Sequence, residues 1–211
     1  MIECPSCGCR QEPRLICENC GAPLGVEVDY FGALGLPRNL TIDVSALERA
    51  YHDLSRKIHP DRFAQDTARA RDASLRSTAL LTRSYRTLRD PVARGLYWLE
   101  LQGQKLAENN KAVPPDLAEL VFEVQDELTE LHDASGADAS RLRERTMKRR
   151  SDLEASMNSL QGDLAGNFEK WDAGGDGKQL ITELKSALSK IAYVRTLIRD
   201  VDRGLENLKA A

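Results

Sequence analysis

A proline set into a helical pattern constrains the first third of this chain more than any other residue. Leu47, Tyr51, Leu54 and Ile58 recur at helical spacing behind Ser45-Ala46-Leu47-Glu48, which fits a capping box. Arg49, His52, Asp53, Arg56 and Lys57 fill the other face, so this helix is apolar on one side and charged on the other. Pro60 disfavours the α conformation at His59, and the helix must stop there. A second helical pattern runs from about Thr67 to Leu88, with Ala70, Ala73, Leu75, Ala79, Leu80 and Leu88 as its apolar positions and arginines between them. Two such helices joined by a short polar loop form an antiparallel hairpin, with His59-Pro60-Asp61 on an exposed turn.

The rest of the chain also reads as helical. Arg89-Asp90-Pro91 starts a short helix whose Leu96, Tyr97, Leu99 and Leu101 can fold back on the hairpin, and Gly103 ends it. Asn109, Asn110, Pro114 and Pro115 mark a linker with proline at a helix start. Leu117, Val121, Val124, Leu128 and Leu131 then alternate steps of four and three, an a/d seam that needs partner helices. Leu153, Met157, Leu160 and Leu164 repeat the seam. Leu184, Leu188, Ile191, Val194, Ile198, Val201, Leu205 and Leu208 continue it in a third segment. Gly136 and the Gly174–Gly177 stretch lie between these segments, so the expected product is a three-helix antiparallel bundle.

Cysteine usage marks a separate N-terminal unit. Cys4-Pro5-Ser6-Cys7-Gly8 and Cys17-Glu18-Asn19-Cys20-Gly21 are two CxxCG knuckles. Four thiolates in two tight turns suit tetrahedral zinc, and the spacing favours Cys4, Cys7, Cys17 and Cys20 as the ligand set. Iron of the rubredoxin type uses the same spacing. So short a segment has no core of its own, so metal ligation would supply its folding energy. Cys9 is the odd cysteine, either a substitute ligand or a free thiol. The first residues lead straight into Cys4, leaving no room for a signal or transit peptide; disulfides are therefore disfavoured, and a reducing bacterial cytoplasm is the expected setting.

Composition removes several function classes. A net charge of -3 gives no general reason to expect nucleic acid or an anionic membrane as partner. No apolar run is long enough to span a bilayer. Neither a phosphate loop, a hydrolase elbow nor a paired-carboxylate constellation is present, so the chain does not read as an enzyme. His52 and His132 lack the neighbours of a metal or nucleophile site and read as surface residues. Asp172, Gly174, Asp176, Gly177 and Glu183 mimic an EF-hand loop, but Gly174 removes an oxygen ligand, and a glycine-rich turn beside Trp171 is the better account.

The hairpin resembles a J-domain, the module by which DnaJ-like proteins dock on DnaK-type chaperones. More than the tripeptide matches: Asp29-Tyr30-Phe31 with Leu34-Gly35-Leu36-Pro37, the run from His59 to Phe63, and Tyr85 to Pro91 look like the HscB-type co-chaperones of iron-sulfur cluster assembly. Some of these also carry an N-terminal tetracysteine segment. The resemblance implies an all-α fold: a zinc-ribbon-like segment over 1–26, a J-domain over 27–104 and a scaffold-binding helical bundle over 112–211. It also implies that His59, Pro60 and Asp61, with Arg56 and Lys57 as charged support, contact a DnaK/HscA-type chaperone and trigger its ATPase.

Two rings fall off the bundle seams. Phe122 lies beside Glu123, Asp126 and Glu130 on an acidic face, and Tyr193 lies between Ile191 and Val194; an aromatic among acids is a candidate partner site. By the same resemblance these positions bind an IscU-like cluster scaffold, and the segment Phe122–Leu131 looks like the family's binding stretch. One turn earlier the family has large apolar residues where this chain has Ala118 and Glu119. Rival readings are a J-protein serving a different client, a zinc-ribbon nucleic-acid protein and a rubredoxin-like electron carrier; the last two leave the His-Pro-Asp turn idle. A homodimer is compatible with the sequence.

Overall fold

The computed structural model describes residues 1–106 and 113–210. Side chains at 136–137 and 208–210 fall outside that description, as do the linker expected at Asn109 and Asn110, the termini 112 and 211, and the Leu208 side chain of the last seam. The chain divides into two compact units, Met1–Trp98 and Leu99–Ala211. The all-α expectation holds: the β-structure among the described residues is a two-stranded ribbon, β1 (Ile2–Glu3) antiparallel to β2 (Arg10–Gln11), and one bridge from Ile16 to Pro23.

In the first unit, α1 (Tyr30–Leu34) is short and fixed at both ends. Asp29 caps it by accepting from the Gly32 amide at 2.6 Å, and Gly35 closes it in the left-handed conformation, φ 67°. Phe31 is fully buried and meets Trp98 edge-on at 5.8 Å, while Tyr30 stacks on Tyr97 at 4.1 Å. Trp98 and Tyr97 belong to α4 (Pro91–Leu101). The apolar face expected for that helix is corrected here. Leu96 and Leu101 are exposed, because the rings of 97 and 98 take the inward positions.

The hairpin pairs α2 (Val44–Ile58) with α3 (Ala68–Arg89). The cap of α2 is Asp43, accepting from the Ser45 and Ala46 amides, rather than the Ser45 box; a carboxylate two residues earlier starts the helix at Val44. Thr67 caps α3 by accepting from the Ala70 amide at 3.3 Å. Leu47, Ile58, Leu81 and Leu88 are 0 % exposed, each adding about 1.5–3 kcal/mol of burial. The face of α3 departs from the apolar reading. Leu75 is 58 % exposed, and Ser74, Ser77 and Ser84 are buried instead. Their hydroxyls are satisfied by carbonyls, and their small size lets neighbouring backbone come close.

The second unit holds the three expected bundle helices, α5 (Ala118–Asp133), α6 (Gly136–Asp172) and α7 (Gly177–Ala210). Leu117, Val124, Leu153, Val194, Leu197 and Val201 form one core, with Val121, Leu128, Met157 and Leu160 packed against it. Gly136 begins α6 instead of separating two helices, so the seam extends upstream to Leu142 and Thr146. Gly177 likewise opens α7, and the Asp176 carboxylate caps it through the Lys178 and Gln179 amides. Residues 177–183 are therefore helical, which excludes an EF-hand loop there.

Candidate functional site

Three groups of candidate residues now have a geometry. The first is the turn. The α2 helix ends at His59, φ -56° and ψ 132°, and Pro60–Phe63 form a single 3-10 turn. The His59 Nδ1 lies 3.3 Å from the Asp61 amide, from which it accepts, and 3.5 Å from the Asp61 carboxylate, so the ring is tied to the turn through this nitrogen. Its side chain is 52 % exposed and that of Asp61 91 % exposed. The turn therefore points its chemistry at solvent on a backbone that is held from behind.

That support comes from residues the sequence reading passed over. A helix cut off at Pro60 leaves the Ile58 carbonyl without its helical partner. Ser74 and Thr78 of α3 donate to this carbonyl at 2.6 and 3.3 Å. Arg71 then pins the far side of the turn by donating to the Ala64 and Asp66 carbonyls. Two hydroxyls one helical turn apart, facing a His-Pro break in the partner helix, are the signal that could have found them. Of the expected cationic support, Lys57 is exposed, and Arg56 is paired with Asp53 on its own helix.

The second group is the cysteine cluster, which forms the core of the N-terminal segment with Leu24. Both knuckles have the same build. In one, the Cys4 amide donates to the Cys9 carbonyl and Gly8 to the Cys4 carbonyl, each at 2.8 Å. In the other, the Cys17 amide donates to Ala22 at 2.8 Å and Gly21 to Cys17 at 2.9 Å. Gly8 and Gly21 adopt φ 72° and 73°, open to glycine at no cost. The Sγ atoms of Cys4 and Cys20 lie 3.7 Å apart, as do those of Cys7 and Cys17. Zinc–sulfur bonds of about 2.3 Å imply tetrahedral edges of about 3.8 Å, so these sulfurs fit such an ion.

The set favoured by spacing differs by one residue from the group whose sulfurs all lie close together. The thiols lying within 4.8 Å of one another are Cys4, Cys7, Cys9 and Cys17, and Cys9 approaches Cys17 to 3.2 Å. Cys9 thus belongs to the cluster. The Asn19 amide donating to Cys7, aided by contacts to Cys9, pulls that thiol down to about 6. The Cys20 amide lowers Cys17, while contacts with Cys17 and then Cys7 push Cys9 up to about 12. Two sulfurs are thereby biased toward the thiolate form a metal requires.

This segment packs on the hairpin rather than standing off it. Ser77 of α3 donates to the Leu15 carbonyl at 3.3 Å and accepts from the Gly25 amide at 3.2 Å. A Cβ on Gly25 would lie 2.9 Å from the Ala73 backbone, which fixes glycine there. A groove of about 580 Å³ runs between Leu15, Cys17 and Leu34 on one side and Asp53, Leu54 and Lys57 on the other.

The third group is on the bundle. Phe122 is 74 % exposed, while Tyr193 is half-buried and packs against the core. Of the acids, Asp126 makes no ion pair among the described residues, whereas Glu123 and Glu130 are taken up by α6. Arg149 bridges Glu123 at 3.1 Å and Glu127 at 3.0 Å; Arg145 bridges Glu127 at 2.8 Å and Glu130. Glu127 is 5 % exposed and serves as the shared centre of this network. Ala118 and Glu119 are exposed. No described helix is long and apolar enough to cross a membrane.

No family model matches the chain. It is 31% identical over 194 residues to the iron-sulfur cluster co-chaperone protein HscB of Mus musculus, covering 87% of this chain and 77% of that protein. The crystal structure of human co-chaperone protein HscB superposes with a TM-score of 0.70 at 24% identity, covering 95% of this chain and 97% of the other. The chaperone HscB from Vibrio cholerae gives 0.64 at 23% identity, covering 86% and 99%. Both structures have the same fold as this chain.

Proposed function

The chain belongs to the HscB family of iron-sulfur cluster co-chaperones, and from that premise we propose that it is an adaptor between a cluster scaffold and a DnaK/HscA-type chaperone. The observation that carries this reading is the turn: the Asp61 side chain is 91 % exposed and that of His59 52 %, on a backbone fixed by Ser74, Thr78 and Arg71. In this proposal His59, Pro60 and Asp61 trigger ATP hydrolysis by the chaperone, with Lys57 and Arg56 steering an acidic partner surface toward them. Phe122, Glu123, Asp126, Glu130 and Tyr193 hold an IscU-like scaffold. Phe122 supplies the rigid apolar contact and the acids supply orientation. Holding both partners on one chain raises their effective concentration for each other, and no catalytic step of its own is needed.

The cysteine cluster in this reading is a structural zinc site, which makes up for the small core of the first 26 residues. The proposed setting is a reducing cytoplasm, where such thiols stay available to metal.

The test uses the chaperone's single-turnover ATPase with the full chain and with Asp61→Asn. We expect the variant to lose stimulation by tenfold or more, about 1.4 kcal/mol, while still retaining the scaffold in a pulldown. Undiminished stimulation by the variant would remove the trigger assignment, and failure of the wild-type chain to retain the scaffold would remove the client.

A further inference from the structure

The two knuckles superimpose position by position except at one place. Cys4 answers to Cys17, Cys7 to Cys20 and Gly8 to Gly21; Cys9 then answers to Ala22, both of them offering the carbonyl that closes the knuckle. A two-knuckle metal site is complete with Cys4, Cys7, Cys17 and Cys20, and their 3.7 Å edges already match a tetrahedron of sulfur about an ion. A fifth thiol at the Ala22-equivalent position is not needed to fill the shell.

Its location gives it a role. The Cys9 sulfur lies 3.2 Å from that of Cys17, closer than two sulfurs on one tetrahedral ion stand, so the two cannot both be ligands without a shift. Yet Cys9, and not Cys20, completes the group whose sulfurs all lie within 4.8 Å of one another. Cys4 and Cys17 are 1 % exposed and hold the floor of the site; Cys7 and Cys20 are both exposed, and of these two it is Cys20 that falls outside the close group. Gln11 keeps Cys9 in place from the opposite side. Its Oε1 accepts from the Cys9 thiol at 3.8 Å and from the Glu18 amide at 3.0 Å, and its Nε2 donates to the Ile16 carbonyl at 3.2 Å, tying the first knuckle to the second.

We propose that Cys9 is an exchange ligand: it enters the metal's shell as Cys20 leaves, with Cys4, Cys7 and Cys17 retained throughout. This rests on reading the cluster as a metal site. In the exchange the Cys9 S–H bond breaks and its proton passes to water, and a sulfur–metal bond forms. The Cys20–metal bond breaks and that sulfur takes a proton from water. The number of thiolates on the ion and the net charge are unchanged, and no oxidant is required. The consequence is a site that opens at its exposed edge without dropping to three ligands, so it passes its ion to thiol-bearing acceptors faster than a plain four-cysteine site.

The full chain loaded with cobalt(II) tests this, because sulfur-to-cobalt absorption scales with the number of thiolates and the visible bands report tetrahedral geometry. Cys20→Ser should keep the four-thiolate spectrum, and Cys9→Ser should keep it as well. The double variant Cys9→Ser/Cys20→Ser should lose about a quarter of the charge-transfer intensity. With cadmium loaded instead, release to excess chelator should be about tenfold slower in Cys9→Ser than in the wild-type chain, the scale at which groups beside a metal's ligands tune its hold. If Cys20→Ser gives the same spectrum as the double variant, or release is equally fast with and without Cys9, the exchange is refuted. If the wild-type chain binds no cobalt at all, the metal reading falls with it.

Discussion

The turn after α2 and the outer face of α5 are both proposed partner surfaces, and they are built in opposite ways. At the turn, the backbone is held and the side chains are exposed: Ile58, Ala64 and Asp66 carbonyls are occupied by α3, while Asp61 and His59 touch each other and face water. On α5 the backbone is ordinary helix and two of its exposed acids are occupied. Glu123 and Glu130 are already paired with Arg149 and Arg145. The first surface is preorganised to act on contact; the second must trade existing ion pairs for new ones, which favours selectivity over strength.

The largest expected effect on the second surface therefore falls on the residue that trades nothing. Phe122 is 74 % exposed, so Phe122→Ala should leave thermal stability of the chain unchanged while weakening the scaffold by about 2 kcal/mol, roughly thirtyfold, in calorimetric titration. Chaperone stimulation in the absence of scaffold should be unaltered. A loss of stability with intact binding would mean that the ring is a packing residue after all.

The next effect separates frame from contact at the turn. Ser74→Ala removes the 2.6 Å bond to the Ile58 carbonyl but leaves Thr78 in place. Urea denaturation should report a loss of about 1 kcal/mol, since a buried carbonyl keeps one donor of two. ATPase stimulation should fall by severalfold even though Ser74 itself is buried and out of a partner's reach. Equal stimulation would show that the turn needs no such backing.

These two regions also differ in how far the sequence announced them. The break at Pro60, the helix starts near Thr67 and at Asp90-Pro91, and the bundle seams of Leu117 to Leu131 and Leu184 to Val201 were legible because proline chemistry and helical period act locally. The face of α3 was not. Periodicity counts apolar residues, and the buried positions there are serines whose value lies in carbonyls belonging to other segments. The acidic patch was legible as a pattern on α5, but its pairing with Arg145 and Arg149 depends on how α6 packs, which spacing along one helix cannot give. For the same reason Cys9 read as an extra: its 3.2 Å approach to Cys17 arises only when the two knuckles face each other.

The smallest effect is the one that decides whether paired acids count for less. Glu123 and Asp126 sit on one exposed face of α5, but Glu123 shares its charge with Arg149 at 3.1 Å and Asp126 has no such partner among the described residues. A cationic scaffold group meeting Asp126 gains the full attraction, whereas one meeting Glu123 must share the carboxylate with Arg149 or displace it. Asp126→Asn should therefore weaken the scaffold by about 1 kcal/mol and Glu123→Gln by about half of that, since exposed pairs are worth only about 0–1 kcal/mol. The gap between the two variants should close in high salt, where screening over about 3 Å at 1 M removes the difference between a shared and an unshared surface charge. If Glu123→Gln costs as much as Asp126→Asn at low salt, Arg149 does not compete with the partner, and the contrast drawn between the two surfaces fails at that residue.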